Sequence, residues 1–341
     1  MMERVYGKPI DLAKFKGPVL ENIQGHLDKI RTIVDYLAAN EQPIPQKVCY
    51  ICASSKCEFM VEIHGFRYVN CLSCGHVYTD SRYSDEAIRR FYEKNVYWSE
   101  VTYANKETCY YRRENIALPK VEYAEKQVGE GQGRLWLDVG AGIGDMVSVA
   151  KERGWQAVGL ELSETSVAFA QETFDVVLHS QTLEEYLVQR PEVMGRAAMV
   201  SLIGVLEHVV DPMGLLAQAH KVLMPGGAVM IQVPIGNSLA AMVQSVFPHN
   251  VFRHMNPIEH IMLFTEPSLK EALDRAGFKM VSAWYHGLDI YELLTNLSLV
   301  NEQVREAPLF GAMMEMFNDL QQVVDEKRLS DRIICVAVKK E

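Results

Sequence analysis

The sequence predicts an α/β fold: a doubly wound, seven-stranded sheet with a small cysteine-rich module ahead of it and helical additions around it. Three observations predict it. From Leu135 onward, short apolar runs alternate with helical patterns, as in a parallel sheet with crossover helices. The first of those runs ends in the glycine-rich turn "DVGAGIGD". Upstream, Cys49 and Cys52 are paired by a CxxC spacing, and so are Cys71 and Cys74.

In chain order, residues 1–48 form an N-terminal segment with helical character. Leu20, Ile23, Leu27, Ile30, Val34 and Leu37 recur at steps of three and four, a seam with the coiled-coil period. Residues 18–40 therefore form a helix that either docks on its own chain or pairs with a second copy. Pro43 and Pro45 break it. Residues 49–80 hold the cysteine pairs. Residues 81–131 return to helical composition and are rich in aromatics, including Phe91, Tyr92, Tyr97, Trp98, Tyr103, Tyr110 and Tyr111.

The core spans 132–287. Its strands are "RLWLDVG", "WQAVGLEL", "DVVLHS", "AAMVSLIGVL", "AVMIQVPI" and "KMVSAWY". Helices alternate with them; one starts at Ser163, a favourable N-cap, and another stops at Pro225 and Gly226. A helical insert follows at 288–329, and "DRIICVAVKK" in 330–341 returns as the seventh strand.

Bulk properties restrict the function classes. The net charge of −10 argues against a large nucleic-acid footprint, which needs clustered Lys and Arg. No apolar run approaches the roughly 18 residues of a membrane span, and the first residues lack the apolar stretch of a secretory signal. These features predict a cytoplasmic protein.

A strand, a glycine turn and a helix start together aim backbone N–H groups at a ligand. Gly140, Gly142 and Gly144 supply GxGxG, but a dinucleotide fingerprint would place its third glycine at position 145, where Asp145 stands. Glu161 ends the next strand, about 20 positions on, where a carboxylate suits a ribose diol. The pattern points to a nucleoside ligand without a pyrophosphate.

"LDVGAGIGD", "VGLELS", "VLEHVVDP" and "AHKVLMPGGAVMIQVP" together resemble the class I S-adenosylmethionine-dependent methyltransferases, over roughly residues 133–285 plus the last strand. The resemblance implies a Rossmann-like core whose last strand is antiparallel. It implies cofactor contacts for Asp138, Gly140, Ala141, Gly142 and Gly144. It implies that Glu161 holds the ribose and that Leu162 packs on the adenine, with Thr182, Leu183 and Ile203 around the adenine edge.

The two cysteine pairs have the spacing of a four-cysteine zinc site. Four thiolates close a tetrahedron and leave no position for water, so the expected Zn2+ is structural. Cys57, His64 and His76 are nearby spares. "CYICASSK" and "NCLSCGHVYTD" ahead of such a core also resemble the zinc-binding domain of certain bacterial C- and O-methyltransferases that act on sugars and other small metabolites.

Methyl transfer needs alignment and, for a hydroxyl or C–H acceptor, a base. His208 in "LEHV" and His260 in "NPIEHIM" fall where the loops should meet at the carboxyl end of the sheet, and the resembled family carries a histidine at both places. The family's divalent-metal variant, ExxEH, is broken by Gly204. The expectation is a small-molecule methyltransferase acting on oxygen or carbon. Two other functions use the same motifs: an RNA or protein methyltransferase that recognises its target through the zinc ribbon, and a non-catalytic, cofactor-binding scaffold dimerised through residues 18–40.

Overall fold

The computed structural model describes residues 2–15, 22–84, 86, 87, 90 and 106–340. In chain order the strands are β1 (Glu3–Tyr6), β2 (Ile44–Pro45), β3 (Cys57–Ile63), β4 (Phe66–Cys71), β5 (Val77–Thr79), β6 (Ser81–Arg82), β7 (Leu135–Val139), β8 (Gln156–Leu160), β9 (Leu178–His179), β10 (Ala197–Ile203), β11 (Leu223–Pro234), β12 (Met262–Leu263), β13 (Phe278–His286) and β14 (Arg332–Lys339). The strands β7, β10, β11 and β14 are almost continuously apolar and buried, as strands covered on both faces must be.

The large sheet runs β1-β13-β14-β11-β10-β7-β8-β9. β7 to β11 are parallel neighbours, and β14 lies antiparallel between β11 and β13. The sequence predicts seven strands; the sheet has eight. The extra one is β1, inside a segment expected to be helical. It pairs parallel with β13, and Tyr6 stacks on Tyr285 with ring centroids 5.6 Å apart. A four-residue strand has no readable period. It exists because β13, far along the chain, offers an open edge.

The helix Ile23–Asn40 packs its apolar stripe inside this chain. Ile23, Leu27 and Ile30 bury against Leu288, Tyr291, Leu294 and Phe317, and Leu37 against Phe66, Tyr83 and Ile258. The seam thus has an intramolecular use, which removes the reason for expecting a second copy there. Leu20, Phe91, Tyr92, Tyr97, Trp98 and Tyr103 lie outside the described residues. Helices between Asp289 and Glu326 form the connection from β13 to its neighbour β14. No helix of the described residues is long and apolar enough to cross a membrane.

A second sheet, β12-β5-β4-β3, belongs to the cysteine module. Its strand β12 comes from the core segment between β11 and β13. Met262 pairs with Tyr78 and Leu263 with Val77, so the module and the core share one sheet edge.

Candidate active site

The parallel strands all end at one edge, and the loops leaving β7, β8, β10 and β11 gather there. Gly140, Gly142 and Gly144 have φ of +71°, +54° and +74°, a region that favours glycine. A Cβ on Gly140 would come within 2.7 Å of Val205 Cγ2. Glu161 closes the turn. Its Oε2 accepts from Gly142 N–H at 2.8 Å and its Oε1 from Ser163 N–H at 2.8 Å. Burial pushes its carboxyl up, while the backbone donors at Ser163, Gly142 and Leu162 hold it down.

Asp138, Gly140, Ala141, Gly142 and Ile203 line one cavity together with Arg112, Lys120 and Asp145. Asp138 accepts from Ser201 Oγ at 2.6 Å, and Ser201 in turn accepts from Trp136 Nε1 at 2.7 Å. Burial raises Asp138 to about 7 against the Ser201 hydrogen bond. Gly144 lies at the start of the helix Asp145–Glu152, beneath the turn. Leu162 is exposed at the rim beside Glu161.

Thr182 and Leu183 are placed differently from the expectation. The Thr182 hydroxyl and N–H are both engaged with Glu185 in a helix capping box, and Leu183 is buried in the core. Neither presents a polar group to a nucleobase edge, because the helix they start needs them. Sequence reading missed Arg112, Lys120 and Asp145. The two cations lie on either side of a wide π turn, Arg113–Ala117, and such turns often mark functional sites. Single cations on a helix carry no spacing signal.

His208 and His260 meet, with ring centroids 4.7 Å apart. His208 Nδ1–H donates to Glu259 O at 2.7 Å, and His260 Nδ1–H donates to His254 O at 2.7 Å. These carbonyls select the tautomer in which Nε2 carries the lone pair. Burial lowers His208 to about 4 despite the Glu259 contact, and it holds His260 well below the usual histidine range, with His208 and His254 adding repulsion. Glu207 Oε2 is enclosed without a partner among the described residues, and burial raises that carboxyl to about 8. Donor atoms of Glu207, His208 and His260 lie within 4.8 Å of one another.

The cysteine module holds the histidine loop from below. Tyr68 Oη donates to His260 O at 2.7 Å. Thr79 N–H and Oγ1–H both donate to Ile261 O, at 3.0 and 3.2 Å. The four expected cysteines converge: Cys49 Sγ lies 3.6 Å from Cys74 Sγ and Cys52 Sγ lies 3.5 Å from Cys71 Sγ. Their donor atoms all fall within 4.8 Å of one another. A tetrahedron with Zn–S of about 2.3 Å needs sulfurs about 3.8 Å apart, so the residues fit a zinc ion. The Cys49–Cys74 contact pulls the Cys49 thiol down and pushes the Cys74 thiol up. Cys57, His64 and His76 stand outside this group.

A mainly parallel sheet whose last strand in the chain, β14, is antiparallel, a glycine turn closed by an acid and a histidine pair beside it define a Rossmann-like, nucleoside-binding α/β protein. A protein-family profile described as a methyltransferase domain matches residues 110–283, and the chain belongs to that family. Among curated relatives, the chain is similar to the ubiquinone biosynthesis O-methyltransferase of Pseudomonas paraeruginosa, with 28% identity over 116 residues, or 33% of this chain and 49% of the relative. The enzyme of that name from Leptothrix cholodnii is 30% identical over 117 residues, or 33% of this chain and 49% of the relative. The chain spans about half the length of the curated relatives it matches. A solved structure, 1,6-didemethyltoxoflavin-N1-methyltransferase of Burkholderia thailandensis, is 16% identical and covers 79% of this chain and 98% of its own, with a TM-score of 0.46. That likeness is too remote to bear on chemistry.

Proposed function

We propose that the protein is an S-adenosylmethionine-dependent methyltransferase acting on an oxygen of a small molecule, with a structural zinc in its cysteine module. One observation carries the cofactor reading. The turn leaves no room for a side chain at Gly140, and Glu161, bound to Gly142 N–H, presents a fixed carboxylate at the end of the second core strand. Gly142 N–H and Ser163 N–H bind different oxygens of Glu161, and a carboxylate has lone pairs to spare for ribose hydroxyls. Gly140, Ala141, Gly142 and Gly144 shape the floor, Asp138 and Ile203 flank it, and Leu162 can cover the adenine. Arg112 and Lys120, across the cavity, suit the carboxylate of the amino-acid end. Thr182 and Leu183 contribute shape rather than hydrogen bonds.

When bound, the cofactor supplies a methyl group on a sulfonium, already activated for transfer. The chain supplies alignment and a place for the proton. His260 or His208, neutral at pH 7, would accept the acceptor hydroxyl proton on Nε2, and the cofactor would supply the methyl group that replaces it. Burial raises the enclosed carboxyl of Glu207 beside them, which favours its neutral form.

The O-methyltransferase names of the curated relatives support oxygen over carbon as the acceptor atom. A sugar, sugar nucleotide or secondary metabolite remains our reading of the acceptor class, by resemblance to zinc-bearing bacterial methyltransferases. Calorimetry tests the proposal. S-adenosylmethionine should bind at micromolar concentration to wild type and far more weakly to Glu161→Ala. Equal affinity in the two proteins would remove the ribose role. Elemental analysis should return one zinc per chain, and a Cys71→Ser chain should lose it.

A further inference from the structure

Beyond the cofactor cavity, the carboxyl edge of the sheet gathers cations, in a chain whose net charge is −10. His286 ends β13 and Arg332 opens β14, and the register sets them opposite each other. Lys8 follows β1, whose parallel pairing with β13 brings it to the same end. Its Nζ lies 5.6 Å from the Trp284 ring centroid, and the Trp284 and His286 rings are 5.3 Å apart. Lys120 faces this space from the cofactor side. Lys8, Lys120, Arg332 and His286 stand within electrostatic reach of one another.

The acids that face these groups are shared: Asp145 acts on both Lys8 and Lys120, and Asp331 on both His286 and Arg332. Lys120 and His286 are only 7% and 5% exposed, and His286 Nε2 is enclosed with no partner among the described residues. Asp145 and Asp138 act on Lys120. Asp331 is the acid nearest Arg332, but it is bound by Arg253 at 2.6 Å, whereas Arg332 stands 3.6 Å away. Enclosed cations that share their counter-charges are costly. Burial and mutual repulsion hold Lys8 well below its usual range and lower Lys120 to about 8. A fold that retains such a group has a use for it.

We propose that Lys8, His286 and Arg332 form a seat for an anionic group on the acceptor, so that the methylated molecule carries a carboxylate or a phosphate. The inference rests on the methyltransferase reading and names the substrate class of that site. None of these three residues lines the cofactor cavity among the described residues, which separates the seat from the place of the cofactor's own carboxylate. The seat adjoins the histidine pair. Arg332 Nε donates to His254 Nε2 at 3.3 Å, and the His254 and His260 rings are stacked at 5.7 Å. An acceptor held by its anion therefore presents its other end toward His260.

The test uses the full zinc-bearing chain saturated with S-adenosylhomocysteine and titrated with inorganic phosphate, benzoate and uncharged benzamide. One or both anions should bind and benzamide should not; which anion binds tells phosphate from carboxylate. Lys8→Met should weaken anion binding at least tenfold, Lys8→Arg should restore most of it, and both variants should bind S-adenosylhomocysteine within about twofold of wild type. Equal anion binding by wild type and Lys8→Met would overturn the seat. So would anion binding seen only without S-adenosylhomocysteine, which would place the anion at the cofactor's carboxylate. Failure of wild type to bind S-adenosylhomocysteine would instead remove the methyltransferase reading and the seat with it.

Discussion

The glycine turn and the His260 loop lie at the same edge of the sheet but are assembled over different distances in sequence. Gly142 reaches its partner Glu161 across 19 residues, within one strand–helix–strand unit. His260 is held by Tyr68 across 192 residues, and Ile261 by Thr79 across 182. The turn is a local device that forms wherever its strand and helix form. The histidine loop depends on a module whose own strands are short. That difference separates binding from turnover: damage to the cysteine module should reach the histidines and leave the cofactor cradle intact.

Removing the zinc should have the largest effect. A structural zinc contributes about 10–16 kcal/mol to folding its site, more than three short strands can supply. Chelation or Cys71→Ser should lower turnover at least about a hundredfold, because β12 loses its partner strand and His260 its support. Cofactor affinity should change by less than about threefold. A parallel loss of both would show that the two regions are one cooperative unit.

His260→Asn, the next largest, removes a base from inside the pocket without touching the module. A positioned general base is worth about 10²–10⁴ in rate, so turnover should fall within that range with zinc content and cofactor affinity unchanged. His208→Asn should behave alike if the pair shares the proton. Because burial holds His208 near 4 and His260 lower than usual, the base stays unprotonated above those values. Activity should remain flat as pH falls through 6.5 and decline only in more acid solution. A decline centred near 6.5 would point to a solvent-exposed histidine as the base.

Glu161→Ala breaks the comparison from the other side. It removes the carboxylate proposed to hold the ribose, an expected loss of about 3 kcal/mol, or roughly a hundredfold in cofactor affinity. Zinc content and the environment of His260 should not move. If Glu161→Ala also released zinc, the separation drawn above would be lost.

The same distance in sequence explains what was legible. Gly140, Gly142, Glu161 and the four cysteines sit in short motifs whose spacing encodes their geometry, and the structure brings each set together. His208, after the fourth core strand, and His260, before a helix, fall by their positions in loops at the carboxyl end of the sheet, and they do meet. β1, β12, Tyr68 and Lys8 left no such trace. Each acquires its role from a partner at least a hundred residues away, and a four-residue strand or a single lysine has no period to read. Only the family resemblance puts Thr182 near the adenine edge, and its hydroxyl caps the helix it begins.

Tyr68→Phe probes the link between the regions with the smallest change. The ring is fully buried, so phenylalanine fills the same space and keeps the module packed. Only the hydroxyl that donates to His260 O at 2.7 Å is lost. One such hydrogen bond is worth about 1 kcal/mol, and the carbonyl left behind is partly desolvated. If that energy appears as looser placement of the histidine, kcat should fall about fivefold, with KM for the cofactor, zinc content and thermal midpoint nearly unchanged. A purely structural hydroxyl would give the opposite split, with a lower midpoint and the same kcat. The first outcome would make Tyr68 the residue through which a metal site with no open coordination position acts on the reaction.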